Sequence, residues 1–98
     1  MTRPLIIRPA AEADIETAYR WYEDQRVGLD AEFLSVVEAG LSSIERNPER
    51  YPERYRRARR LVLRRFPYSL FFVIQPAIVE VIACTHGRRN PRHWRSRL

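Results

Sequence analysis

The spacing of apolar residues changes period once along this chain, and that change limits the fold more than any other feature. From about Ala10 to Gln25 the apolar positions Ile15, Ala18, Tyr19 and Tyr22 recur at helical intervals. A second helical pattern runs from Asp30 to about Arg46, with Phe33 or Leu34, then Val37, Leu41 and Ile44, on one face. Asn47-Pro48 stops it. Gly28 suits the position just past the first helix and Asp30 the cap of the second. The short Val27–Leu29 connection makes the pair an antiparallel hairpin. Beyond a Pro- and Tyr-bearing loop from Pro48 to Tyr55, the pattern becomes that of strands. Arg60 to Arg65 alternates weakly, Ser69 to Ile74 is apolar, and Ile78 to Cys84 is rich in Val and Ile. Phe66-Pro67-Tyr68 and Gln75-Pro76-Ala77 are gaps of hairpin length. Leu5-Ile6-Ile7, stopped by Arg8-Pro9, adds a strand at the front. The expected class is α+β in the order β-αα-βββ, a helical hairpin packed on one antiparallel sheet of about four strands. The basic tail from His86 to Leu98 reads as a short helix or a frayed end.

With 98 residues, positions 1–98 are expected to form a single domain. Cys84 is alone, which excludes an intrachain disulfide and a cysteine-based metal cluster. The run Leu70 to Ile74 is too short to span a bilayer, and Met1-Thr2-Arg3-Pro4 opens into no signal-peptide core. The expected location is cytoplasmic, with no membrane partner. No P-loop or dinucleotide fingerprint occurs in a chain with 3 glycines, so no cofactor is expected. Two histidines without paired carboxylates beside them argue against a metal site.

Charge carries the functional signal. All 18 basic residues are arginine. Residues 1–53 hold 6 of them against 11 Asp and Glu, a net of −5, whereas residues 54–98 hold 12 against Glu80 alone, a net of +11. A compact molecule built this way presents one strongly cationic surface, the footprint of a polyanionic partner. Guanidinium forks pair bidentately with phosphate or carboxylate, so nucleic acid and an acidic protein segment both fit.

Two clusters concentrate that charge. Arg56, Arg57, Arg59, Arg60, Arg64 and Arg65 enter and fill the second strand, where Arg60, Val62 and Arg64 share one face and Leu61 and Leu63 the other. This is equally a phosphate-tracking surface or an edge strand protected by charge. The second cluster, His86-Gly87-Arg88-Arg89-Asn90-Pro91-Arg92-His93-Trp94, interleaves cations with aromatic groups, as nucleic-acid surfaces do. Its plainer reading makes Trp94 an anchor for the tail and His86 a hydrogen-bonded strand-end residue. Trp21-Tyr22, with Tyr19, reads as core.

The helix carrying Ala13-Asp14-Ile15 and Trp21-Tyr22-Glu23, the run Asn47-Pro48-Glu49-Arg50-Tyr51-Pro52, the turn Arg65-Phe66-Pro67-Tyr68, and the ending His86-Gly87-Arg88-Arg89-Asn90-Pro91 with Trp94 together resemble the RelE/ParE toxin superfamily. The likeness is to its ParE-like, plasmid-stabilisation branch. It implies a cytoplasmic toxin of a type II toxin–antitoxin pair. Its cognate antitoxin would fold onto it through a disordered segment, in a complex that can reach a heterotetramer or larger. Family toxins cleave messenger RNA at the ribosome or poison DNA gyrase. The nuclease pattern places basic groups at Arg60 and Arg89. However, it wants an arginine where Ser69 stands, and a tail tyrosine where only Trp94 and Arg95 are found. The leading expectation is therefore a growth-arresting toxin that binds DNA gyrase through Arg60, Arg64, Arg65, Arg88, Arg89 and Trp94, without an active site of its own. The alternatives are a ribosome-dependent mRNA endonuclease using His86 with Arg60 and Arg89 as catalytic residues, and a non-toxic nucleic-acid-binding relic.

Overall fold

The structure, a computed structural model, describes residues 3–98. Strand β1 (Leu5–Ile7) leads into helix α1 (Pro9–Glu23) and helix α2 (Leu29–Arg46). A 3-10 turn (Pro48–Arg50) follows, then β2 (Glu53–Tyr55), β3 (Ala58–Val62), β4 (Tyr68–Ile74), β5 (Val79–His86) and a final turn of helix, α3 (Arg92–Arg95). The sheet order is β1-β5-β4-β3-β2.

The class is the expected α+β, and the helical hairpin is where the periodicity puts it. Three details differ. The sheet has five strands, because the loop expected from Pro48 to Tyr55 contains β2. The sheet is mixed, since β1 pairs parallel with β5 (Leu5↔Val79, Ile7↔Val81) while the other pairings are antiparallel. The second expected strand stops at Val62 and not at Arg65. Arg65 takes φ +68, a left-handed conformation incompatible with continuing a strand, and turns the chain toward β4.

Helix ends also differ. Pro9 opens α1, where its missing N–H costs nothing. Gly28, with φ +88, is the residue before α2 and not the cap of α1. Asp30 lies in the first turn of α2, where its charge suits the helix dipole.

Each face of the sheet buries a different cluster. The helical hairpin covers one, packing Ala11, Ala18 and Tyr22 of α1 and Phe33, Val37 and Ile44 of α2 against Leu61, Leu70, Phe72, Val79 and Val81. Of the expected core pair on α1, Tyr22 is buried but Trp21 is 55% exposed, because adjacent residues on a helix point about 100° apart. Leu34 is likewise outside, leaving Phe33 as the inward residue. Phe66, expected only as a turn residue, is buried edge-on against Tyr22 and Phe33. At Gly40 a Cβ would sit 3.2 Å from a Leu70 methyl, so α2 rides close on the sheet.

The second face holds Ala58, Phe71, Val73, Ile82, Ala83 and Trp94, with Tyr55 packed against them. A bulge in β5 makes this possible. Phe71 pairs with Ala83 and Phe72 with Val81, so Ile82 is the extra residue. It and Ala83 both belong to this cluster. The tail is folded: Trp94 is buried, with its ring stacked on Phe71 at 4.0 Å and 12°.

Candidate functional site

The tail and the ends of β4 and β5 shape a groove of about 330 Å³ on the second face. Ser69 and Thr85, opposite one another on β4 and β5, give it two buried small polar residues, and Phe71 with Trp94 forms one wall. Arg54, Arg60, Arg89 and Arg95 line the rest, with His86 at the end of β5. None of these four arginines has a carboxylate partner among the described residues; the ion pairs use Arg3, Arg8, Arg20, Arg26, Arg59, Arg65 and Arg97 instead. Arg95 lies over the Tyr55 ring, 4.2 Å from its centroid, which holds the guanidinium by cation–π attraction. Four uncompensated cations around one concavity form a site for anionic oxygens.

The residues singled out in the sequence divide between two places. Arg60, Arg89, His86 and Trp94 come together in this groove. Trp94 offers it only part of its ring, since one ring face is stacked on Phe71. Arg88 is exposed on the turn that follows β5. Arg64 and Arg65 lie past β3, on the side of α2, and Arg65 donates to Glu32 Oε1 at 2.9 Å. That hydrogen bond is the main reason the Glu32 carboxyl titrates below its ordinary value.

His86 is half-buried, edge-on to Tyr68. Its Nδ1 accepts the Arg88 backbone N–H at 3.0 Å, so the neutral ring carries its proton on Nε2. A ring held this way can donate a hydrogen bond from Nε2 to an anion.

The patterning gave no warning of the network that holds the tail in place. Asp14 of α1 accepts the Cys84 backbone N–H at 3.0 Å and two bonds from Arg97, at 2.6 Å from Nη1 and 3.2 Å from Nη2. Arg97 Nη1 also donates to Ile82 O at 2.9 Å, on the bulge itself. Arg97 Nη2 lies 3.1 Å from His93 Nε2, which accepts from it in the neutral ring. The 3.4 Å approach of that same nitrogen to Asp14 is then a contact and not a bond. Arg8 closes the other side, donating to Arg97 O at 2.6 Å and to Glu80 at 2.8 Å.

Cys84 lies against this network and is buried. Burial, aided by the neighbouring Asp14 charge, pushes its thiol up to about 12 from an ordinary 9. A thiol so protonated is a poor nucleophile. Native protein at pH 8 should react with a maleimide on the order of a thousandfold more slowly than urea-unfolded protein. Equal rates in the two states would show that the thiol is accessible and ionisable. No cluster of three or more His, Cys, Asp or Glu suited to a metal ion occurs among the described residues. No helix among them is long and apolar enough to cross a membrane.

A helical hairpin on one face of a mixed sheet, and a cationic groove under a short tail on the other, define a small basic α+β protein with an unpartnered cationic concavity. Residues 5–91 match the family described as "ParE toxin of type II toxin-antitoxin system, parDE", and the chain belongs to that family. It is similar to Toxin ParE2 of two Mycobacterium tuberculosis strains, 26% identical over 92 residues that cover 93% of this chain and 88% of each relative. Its fold is that of a chain in the chromosomal ParDE toxin–antitoxin system from P. aeruginosa. The TM-score is 0.74 at 17% identity, covering 87% of this chain and 96% of that one. The protein is therefore the toxin component of a type II toxin–antitoxin pair.

Proposed function

We propose that this toxin arrests growth by binding DNA gyrase through the cationic groove, and that a cognate antitoxin neutralises it. The observation that carries the reading is the set of Arg54, Arg60, Arg89 and Arg95, which share one concavity without a carboxylate partner among the described residues. Arginines left in this state repel one another, and an anionic surface that enters the groove relieves the repulsion. The DNA that gyrase holds is such a surface. The likeness to the ParE-like branch supports gyrase as the target, and the groove suits an anionic contact.

Purified protein should inhibit supercoiling by gyrase, or trap cleaved plasmid, in the presence of ATP, and the antitoxin should reverse the effect. Unaffected gyrase alongside confirmed growth arrest would overturn this target.

A second reading has one observation in its favour, namely that His86, Arg60 and Arg89 share the groove. RNA cleavage by 2′-hydroxyl attack needs proton transfer and stabilisation of extra charge on phosphorus. His86 could serve the first and the arginines the second. His86→Ala should leave growth arrest intact under the gyrase reading. Loss of arrest with the fold preserved, together with mapped mRNA ends, would transfer the assignment to the nuclease. Harmless expression without antitoxin would identify a detoxified relic.

A further inference from the structure

Ser69 and Thr85 are polar side chains that the protein itself leaves unused. They sit opposite one another on β4 and β5, on the same sheet face as Phe71 and Arg60, and are only 7% and 5% exposed. Among the described residues, the serine and threonine side chains that form hydrogen bonds are Ser43 and Ser96, so neither hydroxyl has a partner. No side-chain oxygen or nitrogen among those residues is both sealed from solvent and unpaired. Both hydroxyls therefore reach open space, and the space that both residues line is the cationic groove. The arginines around them are in the same state. Arg54, Arg60, Arg89 and Arg95 donate no hydrogen bond among the described residues, whereas Arg59, Arg65 and Arg97 each do. Arg60 is also half-buried. A floor of unpaired hydroxyls under a rim of unpaired guanidinium groups is complementary to a ligand rich in anionic oxygens.

From this we infer that the groove binds the terminal diphosphate of a small molecule, inorganic pyrophosphate or a nucleoside diphosphate, in competition with the toxin's target. The inference rests on the reading of this groove as the target-binding surface, and it adds the chemistry of a ligand that regulates that surface. Charge selects the diphosphate. A phosphodiester inside a strand brings a single charge to four arginines, and a terminal phosphate brings about −1.5 to −2. A diphosphate comes nearer to balance and spreads its oxygens over several guanidinium forks at once. Depth selects a chain end. The Ser69 and Thr85 hydroxyls lie on the floor, and a phosphate flanked by sugars on both sides is held off that floor by its own substituents. Duplex DNA is thereby confined to the rim arginines. Packing excludes the base. Trp94 is 7% exposed, with Phe71 stacked on one ring face, Tyr55 edge-on at 5.9 Å and Arg95 at 5.4 Å from its centroid. It leaves no open face on which a base could stack, so the site reads phosphate alone.

The test is calorimetric titration of the purified toxin with pyrophosphate, orthophosphate and ADP, at matched ionic strength and without divalent metal. Pyrophosphate should bind at least tenfold more tightly than orthophosphate, and ADP within about fivefold of pyrophosphate. Ser69→Ala combined with Thr85→Val changes no charge and should weaken pyrophosphate at least fivefold. Arg60→Ala combined with Arg89→Ala should weaken it at least fiftyfold. Arg57→Ala combined with Arg92→Ala removes the same charge from exposed positions outside the groove, and should weaken it less than threefold. Equal affinities for pyrophosphate and orthophosphate, or equal losses in the two arginine double variants, would overturn the site in favour of a diffuse cationic surface. ADP binding more than fivefold tighter than pyrophosphate would overturn the exclusion of the base. Saturating pyrophosphate should also release the toxin from immobilised gyrase holding DNA, and toxin retained there would refute the competition. Toxin that binds pyrophosphate but not gyrase would overturn the target alone. Toxin that binds gyrase but not pyrophosphate would overturn this inference and leave the target standing.

Discussion

Asp14→Ala is expected to cost about 3–5 kcal/mol of stability, the range for breaking a buried ion pair by removing one partner. The Asp14 side chain is only 13% exposed, and it satisfies the Cys84 N–H as well as both Arg97 nitrogens. Alanine therefore leaves a mostly buried guanidinium without its counter-charge and a buried N–H without an acceptor. For a chain of this length such a loss lowers the melting temperature by roughly 15–30 °C. Asp14→Asn keeps an acceptor for Cys84 and should lose noticeably less. Arg97→Ala combined with Asp14→Ala should cost less than the sum of the two, because the double variant strands neither charge. The measurement is chemical unfolding of the wild type and the four variants. A loss below about 1 kcal/mol for Asp14→Ala would mean that the stacking of Trp94 on Phe71 holds the tail alone.

That network also marks the limit of what the sequence makes legible. The hairpin of α1 and α2 is readable because an amphipathic helix repeats its message every turn, and several positions in register outvote one ambiguous residue such as Leu34. Strands β4 and β5 are readable because apolar runs of that length between prolines have few other uses. Strand β2 is not, since three residues, Glu53, Arg54 and Tyr55, carry no period. What fixes it lies outside the segment: pairing with Ala58 and Arg59, and the bond from Arg59 to Tyr51 O at 2.6 Å. The parallel pairing of β1 is equally silent, because a three-residue run can dock on either edge. The end of β3 comes earlier than the pattern implies, because Arg64 and Arg65 continue an alternation that the backbone abandons at φ +68. Asp14 and Arg97 stand 83 residues apart, so no local pattern could join them.

The candidate site was legible in composition but not in partition. The sequence shows one cationic half, whereas the structure splits it into a groove under the tail and a second cavity along β3, with Arg60 common to both. This partition sets the expected behaviour of the arginines. Arg60→Ala combined with Arg89→Ala should abolish growth arrest and weaken gyrase inhibition at least a hundredfold. Each charge-assisted hydrogen bond is worth about 1.5–3 kcal/mol, and two of them exceed a factor of one hundred. The fold should not suffer, because neither side chain has an ion-pair partner among the described residues, and unfolding curves should overlay those of the wild type. Arg64→Ala combined with Arg65→Ala should behave differently. Both residues are outside the groove, so growth arrest should persist. Growth assays with and without induced antitoxin, run beside supercoiling assays of the purified variants, separate the two effects. Full toxicity in the Arg60/Arg89 double variant would remove the groove from target binding. Loss of toxicity in the Arg64/Arg65 variant would instead mean that the target reaches around β3 to the face of α2. The cationic half would then act as one surface, and the antitoxin could neutralise it by simple occlusion.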